Sequence, residues 1–154
     1  MKLISHRGNI NGKNPERENS PDYILEALQQ GYEVEVDIWY TWKDVDKFGW
    51  FTGHDEPTYE FNMIEFVPYF DKMWFHCKNL ESLSRINEWD THYFWHQEDD
   101  YTLTSKGFIW TYPNKPLTNN SICVLPEDNY PLWNFSCYGI CSDFIEKYRY
   151  LIIY

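Results

Sequence analysis

The chain has 154 residues, of which 43% are hydrophobic and 20% aromatic, and this is enough for one domain with a substantial core. Its formal net charge of -11 opposes binding to nucleic acid or to anionic membranes, because both need clustered lysines and arginines. No apolar run is long enough to cross a bilayer. We therefore expect a single domain over residues 1–154, with no membrane span and no nucleic-acid partner.

The first half of the chain predicts strands that alternate with helices, and each strand ends in polar residues. A helix is predicted after Ser20, a good N-cap, because Pro21 fits the first helical position and Gly31 closes the segment. A second, amphipathic helix is predicted over residues 80–89. The strands of this half are predicted at residues 2–5, 32–40, 50–52 and 73–77.

The second half has strand character but little helical periodicity until a closing helix predicted from Asp143 onward. Its strands are predicted at residues 92–96, 107–112, 121–125 and 138–142. Eight strands are the number of a parallel α/β barrel, although most such barrels exceed about 200 residues. We therefore predict an α/β fold, a reduced TIM-type (β/α) barrel of about eight strands with several outer helices missing or replaced by loops.

Three acidic residues share one face of the strand predicted at residues 32–40. Strand alternation places Glu33, Glu35 and Asp37 together, with Glu35 and Asp37 roughly 7 Å apart along the chain. Three carboxylates in a row are costly to bury without a cation. The pattern therefore indicates either a cation-binding face or an ordinary solvated one.

Two histidines and two other cationic residues fall at the ends of predicted strands. His6 and Arg7 follow the first strand, His54 the third and Lys78 the fourth. Because the carboxyl ends of barrel strands meet on one face, we expect these side chains to converge near Glu35. Histidine exchanges protons near neutral pH, and fixed cations stabilise phosphoryl oxygens. The set is typical of metal-assisted phosphodiester chemistry, with His6 and His54 as acid and base and Arg7 and Lys78 as phosphate contacts.

Six short motifs follow one another along the chain: HRG at residues 6–8, ENS at 18–20, EVD at 35–37, HDEP at 54–57, WT at 110–111 and GICSD at 139–143. In this order they resemble the glycerophosphodiester phosphodiesterase family, part of the wider group with phosphatidylinositol-specific phospholipase C-like barrels. The match is nearly continuous over residues 4–57 and patchy afterwards. The resemblance implies a (β/α) barrel that uses one divalent metal ion on a small-molecule phosphodiester.

The resemblance also implies a set of metal ligands. Glu35 and Asp37 match the paired carboxylates of the family, and Glu18 is a further candidate whose alternative role is to fix Arg7 or its loop. The family has a third acidic ligand where this chain has His76. Imidazole suits Mn²⁺ or Zn²⁺ better than Mg²⁺ or Ca²⁺. His76 is therefore a candidate third ligand, and the expected ion is Mg²⁺, Ca²⁺ or Mn²⁺, with Zn²⁺ as an option that His76 adds.

The expected function is metal-dependent hydrolysis of a phosphodiester of the glycerophosphodiester type. Two alternatives stay open: a catalytically silent module that binds phosphate or a phospho-polyol, which the His76 substitution favours, and a lyase that releases a cyclic phosphate. His92 and His96 fit a polar strand end better than an extension of the site. A cytoplasmic location is expected, because the first strand leaves no room for a signal peptide.

Overall fold

A computed structural model of the protein describes residues 1–128 and 136–153. In this part of the chain ten strands form one curled, mixed sheet with three α-helices beside it. The strands are β1 (Lys2–His6), β2 (Glu33–Asp44), β3 (Lys47–Thr52), β4 (Tyr59–Glu60), β5 (Met73–Cys77), β6 (His92–Phe94), β7 (Tyr101–Leu103), β8 (Ile109–Thr111), β9 (Ser121–Val124) and β10 (Gly139–Ser142). The helices are α1 (Pro21–Gln29), α2 (Met63–Phe66) and α3 (Leu80–Arg85), and 3-10 helices cover Val67–Lys72, Ile86–Glu88, Pro126–Asp128 and Ile145–Ile153.

Most of the sheet is parallel. Its parallel strands follow the order β6-β5-β2-β1-β10-β9-β8. β3 and β4 extend β2 as antiparallel neighbours, and β7 pairs antiparallel with β8. The register sets His6 beside Glu35 and Asp37 beside His76. The carboxyl ends of β1, β2 and β5 therefore bring these polar side chains to one edge of the sheet.

The two faces of the sheet carry separate hydrophobic clusters, as the alternation along β2 predicts. On the outer face Val34, Val36 and Ile38 pack with helix α1. The inner face holds a second cluster of Ile4, Trp74, Phe94, Trp110, Ile122, Val124 and Cys141. The acidic residues of β2 point to this inner side and are buried, with Glu33 7%, Glu35 2% and Asp37 0% exposed. The alternative prediction, that these acids form an ordinary solvated strand face, is therefore wrong.

The prediction of a reduced TIM-type (β/α) barrel is also wrong. The protein is a strand-rich half-barrel in which eight strands follow one another along the main path and helices do not alternate with them. The β2–β5 connection contains β3, β4 and only a four-residue α-helix, and the β8–β9 connection is a loop. Within residues 1–128, β6 and β8 form no hydrogen-bonded ladder. Instead Phe94 stacks on Trp110 across this gap, with ring centroids 4.4 Å apart.

The strand predicted at residues 50–52 belongs to a hairpin and not to a parallel barrel. β2 runs for twelve residues and turns back into β3, its antiparallel partner. Cross-strand aromatic pairs stabilise this extension: Tyr40 lies opposite Trp50 and Trp42 opposite Phe48, with centroids 4.7 and 4.9 Å apart. β2 therefore extends to Asp44, beyond its predicted end at residue 40, and β3 begins at Lys47, before its predicted start at residue 50.

The helices follow the local signals closely in the first half of the chain. α1 is confirmed, with Pro21 in its first turn and Gly31 at φ +90° just beyond its end. The predicted helix at residues 80–89 is also confirmed, although its last turn tightens into a 3-10 helix. The helix predicted from Asp143 is instead the 3-10 helix Ile145–Ile153. Among the described residues, none of the helices has the length and apolarity that crossing a membrane requires.

Candidate active site

A cavity of about 810 Å³ opens at the carboxyl ends of the parallel strands. One wall is charged and consists of predicted site residues, namely His6, Arg7, Glu35, His54, His76 and Lys78. The rest of the lining is largely aromatic and apolar and includes His96, Trp110, Tyr112, Pro113, Val124 and Leu125. Asp37 is fully buried and contacts the charged wall. The structure therefore brings together all the predicted site residues except Glu18, which lies to one side.

Glu35 and Asp37 form a buried carboxylate pair with His76. Each of the three offers one ligand atom, and these atoms lie within 4.8 Å of one another. Glu35 Oε2 and Asp37 Oδ1 are buried without a hydrogen-bond partner. Asp37 Oδ1 has only ion-pair contacts, 3.0 Å from His76 Nδ1 and 3.5 Å from Lys78 Nζ. Buried oxygens without hydrogen bonds are rare and costly, so this trio fits a divalent cation.

The two carboxylates differ in their pKa values. Burial, reinforced by the Asp37 charge, raises the pKa of Glu35. Burial acts in the same direction on Asp37, but His54, His76 and Arg7 outweigh it and hold the pKa of Asp37 well below its usual value. Asp37 is therefore the anionic centre of the site, while Glu35 needs additional positive charge to ionise readily.

His76 has a tautomer that suits metal binding. Its Nε2 lies 2.8 Å from the backbone carbonyl oxygen of His96, and a carbonyl only accepts, so Nε2 carries a proton. Its Nδ1 faces Asp37 Oδ1 at 3.0 Å and Glu35 Oε1 at 3.8 Å. In the neutral ring the Nδ1 lone pair therefore points toward two carboxylates. A cation shared by the three groups, or a second proton on His76, balances this arrangement.

His6 is fixed by a carboxylate from the far end of the chain. Asp143, which follows β10, lies with Oδ1 2.7 Å from His6 Nδ1. A carboxylate accepts, so Nδ1 donates and the Nε2 of the neutral ring is left unprotonated, 3.9 Å from Glu35 Oε2. Burial lowers the pKa of His6, but Asp143 and Glu35 outweigh it and the pKa lies above its usual value.

His54 has the opposite tautomer. It lies just beyond β3, and its Nδ1 is 2.6 Å from a terminal nitrogen of Arg7. Nδ1 also lies 3.3 Å from Asp37 Oδ2, which only accepts, whereas the guanidinium only donates. The shorter Arg7 contact favours an accepting Nδ1, with the proton of the neutral ring on Nε2. Gly53 makes the required turn: at its φ of +149°, an added Cβ would lie 2.1 Å from the Glu56 carbonyl oxygen. The side chain of His54 is 43% exposed and open to a ligand.

Arg7 links Asp37 to the loop before α1. Its Nε forms an ion pair with Asp37 Oδ2 at 2.9 Å, and a terminal nitrogen donates to Glu18 at 3.3 Å. Glu18 also accepts from the buried Asn9 at 2.9 Å. Glu18 therefore fixes Arg7 and its loop, and among the described residues it is not part of the three-residue cluster.

Asn19 contributes a support that sequence reasoning had not singled out. Its side-chain amide donates to Asp37 Oδ2 and accepts from the Asp37 backbone N–H, each at 2.9 Å. Its own N–H donates to the Arg7 carbonyl at 3.0 Å. Asn19 is 1% exposed and stands at φ +64°. One residue thus holds both Asp37 and the Arg7 backbone in place.

Backbone strain is concentrated around the cavity. In the described ranges the non-glycine residues at positive φ are Arg7, Asn19, Asn114 and Leu125. Three of them line the cavity and Asn19 bonds to Asp37. Such conformations cost about 1–3 kcal/mol each and occur mainly where the surrounding structure enforces them, often at functional sites.

Asp143 is the main residue that sequence reasoning left without a role. It directly follows an apolar strand, the same signal that identified His6, His54 and Lys78, and its strand pairs with β1. His96 also lines the cavity, although it had been interpreted as a polar strand end. His92 lies elsewhere, stacked on Trp74 with centroids 4.0 Å apart.

Comparisons of this chain with protein-family models, with curated proteins and with solved structures found no match.

Proposed function

We propose that this protein is a metal-dependent phosphodiesterase that acts on glycerophosphodiester-type substrates, with His6 as base and His54 as acid. The proposal rests on the buried carboxylates of Glu35 and Asp37, each of which has one oxygen without a hydrogen-bond partner. Two histidines of opposite tautomer flank this pair. Cleavage of a phosphodiester needs a proton acceptor, a proton donor and positive charge near the phosphoryl oxygens. The charged wall of the cavity offers all three.

His6 suits the role of base. Because Asp143 holds Nδ1–H, the Nε2 lone pair is the nitrogen that takes a proton from water or from a neighbouring substrate hydroxyl. The same carboxylate stabilises the imidazolium that forms. The raised pKa of His6 strengthens its affinity for the proton but requires a pH above that value for the neutral ring to predominate.

His54 suits the role of acid. Its Nε2–H donates to the oxygen of the departing alcohol, while Nδ1 stays fixed by Arg7. Lys78 lies 3.5 Å from His54 Nδ1, lines the cavity and supplies a positive charge for a phosphoryl oxygen. Since the Arg7 nitrogens already face Asp37, Glu18 and His54, we assign Arg7 mainly to positioning His54.

Glu35, Asp37 and His76 would hold one divalent ion. When bound, the ion supplies Lewis-acid charge against the phosphoryl oxygens. The mixed carboxylate and imidazole donor set favours Mn²⁺ or Zn²⁺ over Mg²⁺ or Ca²⁺. Asn19 keeps Asp37 oriented for this role through its two amide hydrogen bonds.

The test measures turnover of a glycerophosphodiester by protein that has been treated with a chelator and then supplied with Mn²⁺. We expect Mn²⁺ to restore activity, and His6→Ala or His54→Ala to lower kcat by about 10²- to 10⁴-fold. His92→Ala is the matched control, since His92 lies outside the cavity lining. Wild-type rates in both site variants, or full activity in the presence of chelator, would contradict the proposal. ³¹P NMR of the product separates hydrolysis from release of a cyclic phosphate.

A catalytically silent phosphate-binding module is the second candidate. The observation that favours it is the 3.0 Å contact between His76 Nδ1 and Asp37, because a protonated His76 neutralises Asp37 without a metal ion. Calorimetry with a phosphodiester in Mg²⁺, Mn²⁺ and Zn²⁺ distinguishes the two. Tight binding with no turnover in any of these metals would favour the module.

A further inference from the structure

Three rings of the cavity lining, those of Trp110, His96 and Tyr112, belong to a group of stacked rings that also includes the buried Phe94. Phe94 stacks on Trp110 with centroids 4.4 Å apart and on His76 at 5.1 Å. The His96 ring lies edge-on to the His76 ring, with centroids 6.3 Å apart. It is nearly parallel to the Tyr112 ring, with centroids 5.9 Å apart and an angle of 9° between the planes. We call Phe94, Trp110, His96 and Tyr112 the aromatic wall. It runs from the proposed metal ligand to the cavity rim.

Tyr112 is the accessible end of the aromatic wall. It is 49% exposed, whereas Trp110 is 5% and Phe94 2% exposed. Pro113 and Leu125 line the same part of the cavity. The buried rings are explained by packing in the inner cluster, but Tyr112 keeps ring surface open to a ligand. Half-exposed tyrosines of this kind offer a rigid surface on which planar rings stack.

A second, smaller cavity adjoins the first. Its volume is about 310 Å³, and it shares Arg7 and His54 with the larger cavity. The rest of its lining is mostly polar and includes Glu18, Asn19, Asp55, Glu56, Thr58 and Tyr59. A phosphodiester has two ester branches, and the two cavities meet at Arg7 and His54, where the proposed function puts the phosphate.

We infer that the substrate is an asymmetric phosphodiester whose larger alcohol carries a planar aromatic or heteroaromatic ring stacked on Tyr112. Its smaller branch, a short polar alcohol such as a glycerol-sized polyol, enters the second cavity. The inference rests on the proposed function for the position of the phosphate. Tyr112 itself touches no reacting atom and determines specificity through stacking alone.

The test is calorimetric binding of methyl phenyl phosphate and methyl cyclohexyl phosphate to the full chain with Mn²⁺. The two probes share charge and ring size and differ in planarity. We expect the phenyl ester to bind about two- to tenfold more tightly. Tyr112→Ala and Tyr112→Leu should abolish this preference and Tyr112→Phe should retain it. Tyr101→Ala is the matched control, because Tyr101 is 45% exposed but does not line the cavity.

Equal affinities in the wild-type protein, or a phenyl preference that persists in both Tyr112→Ala and Tyr112→Leu, would overturn the inference. Turnover of methyl phenyl phosphate is measured in parallel. A Tyr112-dependent preference supports the inference even where turnover is absent, and that absence then contradicts only the proposed catalysis. His6-dependent turnover without any ring preference contradicts only the inference.

Discussion

The two ends of the parallel sheet carry similar residues and use them in opposite ways. At the amino end Glu33 accepts a hydrogen bond from Trp74 at 2.7 Å through one oxygen and pairs with Lys2 through the other. At the carboxyl end Glu35, two residues later on the same face of β2, has Oε2 without a hydrogen-bond partner. Both carboxylates are buried, so burial alone does not separate a structural acid from a candidate ligand. What distinguishes the two is whether all of their oxygens accept hydrogen bonds.

The inward side chains of β5 show the same contrast. At the amino end Trp74 has a single polar atom, a donor, and it completes the hydrogen bonding of Glu33. At the carboxyl end His76 donates through Nε2 to a backbone carbonyl and presents Nδ1 to Asp37. The amino end therefore satisfies the oxygens of its carboxylate with hydrogen bonds, whereas the carboxyl end leaves Glu35 Oε2 and Asp37 Oδ1 without one.

The largest expected effect tests whether the carboxyl end serves catalysis. Asp143→Asn should lower kcat by about 10²- to 10⁴-fold, because the amide stabilises neither the required His6 tautomer nor its imidazolium. Asp143 raises the pKa of His6, so its removal should also move the acidic limb of the pH–rate profile to lower pH. The exposed Asp90→Asn variant is the control. An unchanged profile with unchanged kcat would contradict the role of Asp143.

The next prediction compares how Glu33 and Glu35 each contribute to the free energy of unfolding. Glu33→Gln should lower the free energy of unfolding by about 1–3 kcal/mol, because it disrupts charged hydrogen bonds to Lys2 and Trp74. Glu35→Gln should leave this free energy unchanged or raise it, since a raised pKa means that folding disfavours the Glu35 charge. Urea denaturation at pH 7 in metal-free buffer measures both. Equal losses of unfolding free energy in the two variants would contradict the proposed contrast between the amino and carboxyl ends of the sheet.

The smallest effect concerns acid stability at the amino end. Burial first, and then Lys106 and Lys2, lower the pKa of His92 from about 6.5 to about 4. The folded state therefore binds the proton less readily than the unfolded chain, and stability is lost as the pH falls from about 6.5 toward 4. His92→Phe keeps a ring on Trp74 and removes this titration. Thermal unfolding at pH 7 and pH 5 should show a smaller drop in Tm for the variant, and equal drops would contradict the assignment.

The sequence predicts those features that depend on local pattern. Period-two alternation predicts that Glu35 and Asp37 share a face, and the polar residue after each strand predicts His6 and Lys78 at one edge. Pairing between distant segments is not encoded in such patterns. The extension of β2 into a hairpin depends on its partner β3, and the His6–Asp143 contact joins residues 137 positions apart. The barrel prediction failed for the same reason, because the connections between strands, and not the strands themselves, decide whether helices alternate with them.

The separation between His6 and Asp143 also has a consequence for the order of folding. His54 and Asp37 are 17 residues apart and joined through the β2–β3 hairpin, so their part of the site has low contact order. Closing the 137-residue loop between His6 and Asp143 costs ~2 kcal/mol more in chain entropy. The Asp37–His54 part of the site can therefore form early, whereas the contact that fixes the His6 tautomer forms only when residues near the two ends of the chain meet.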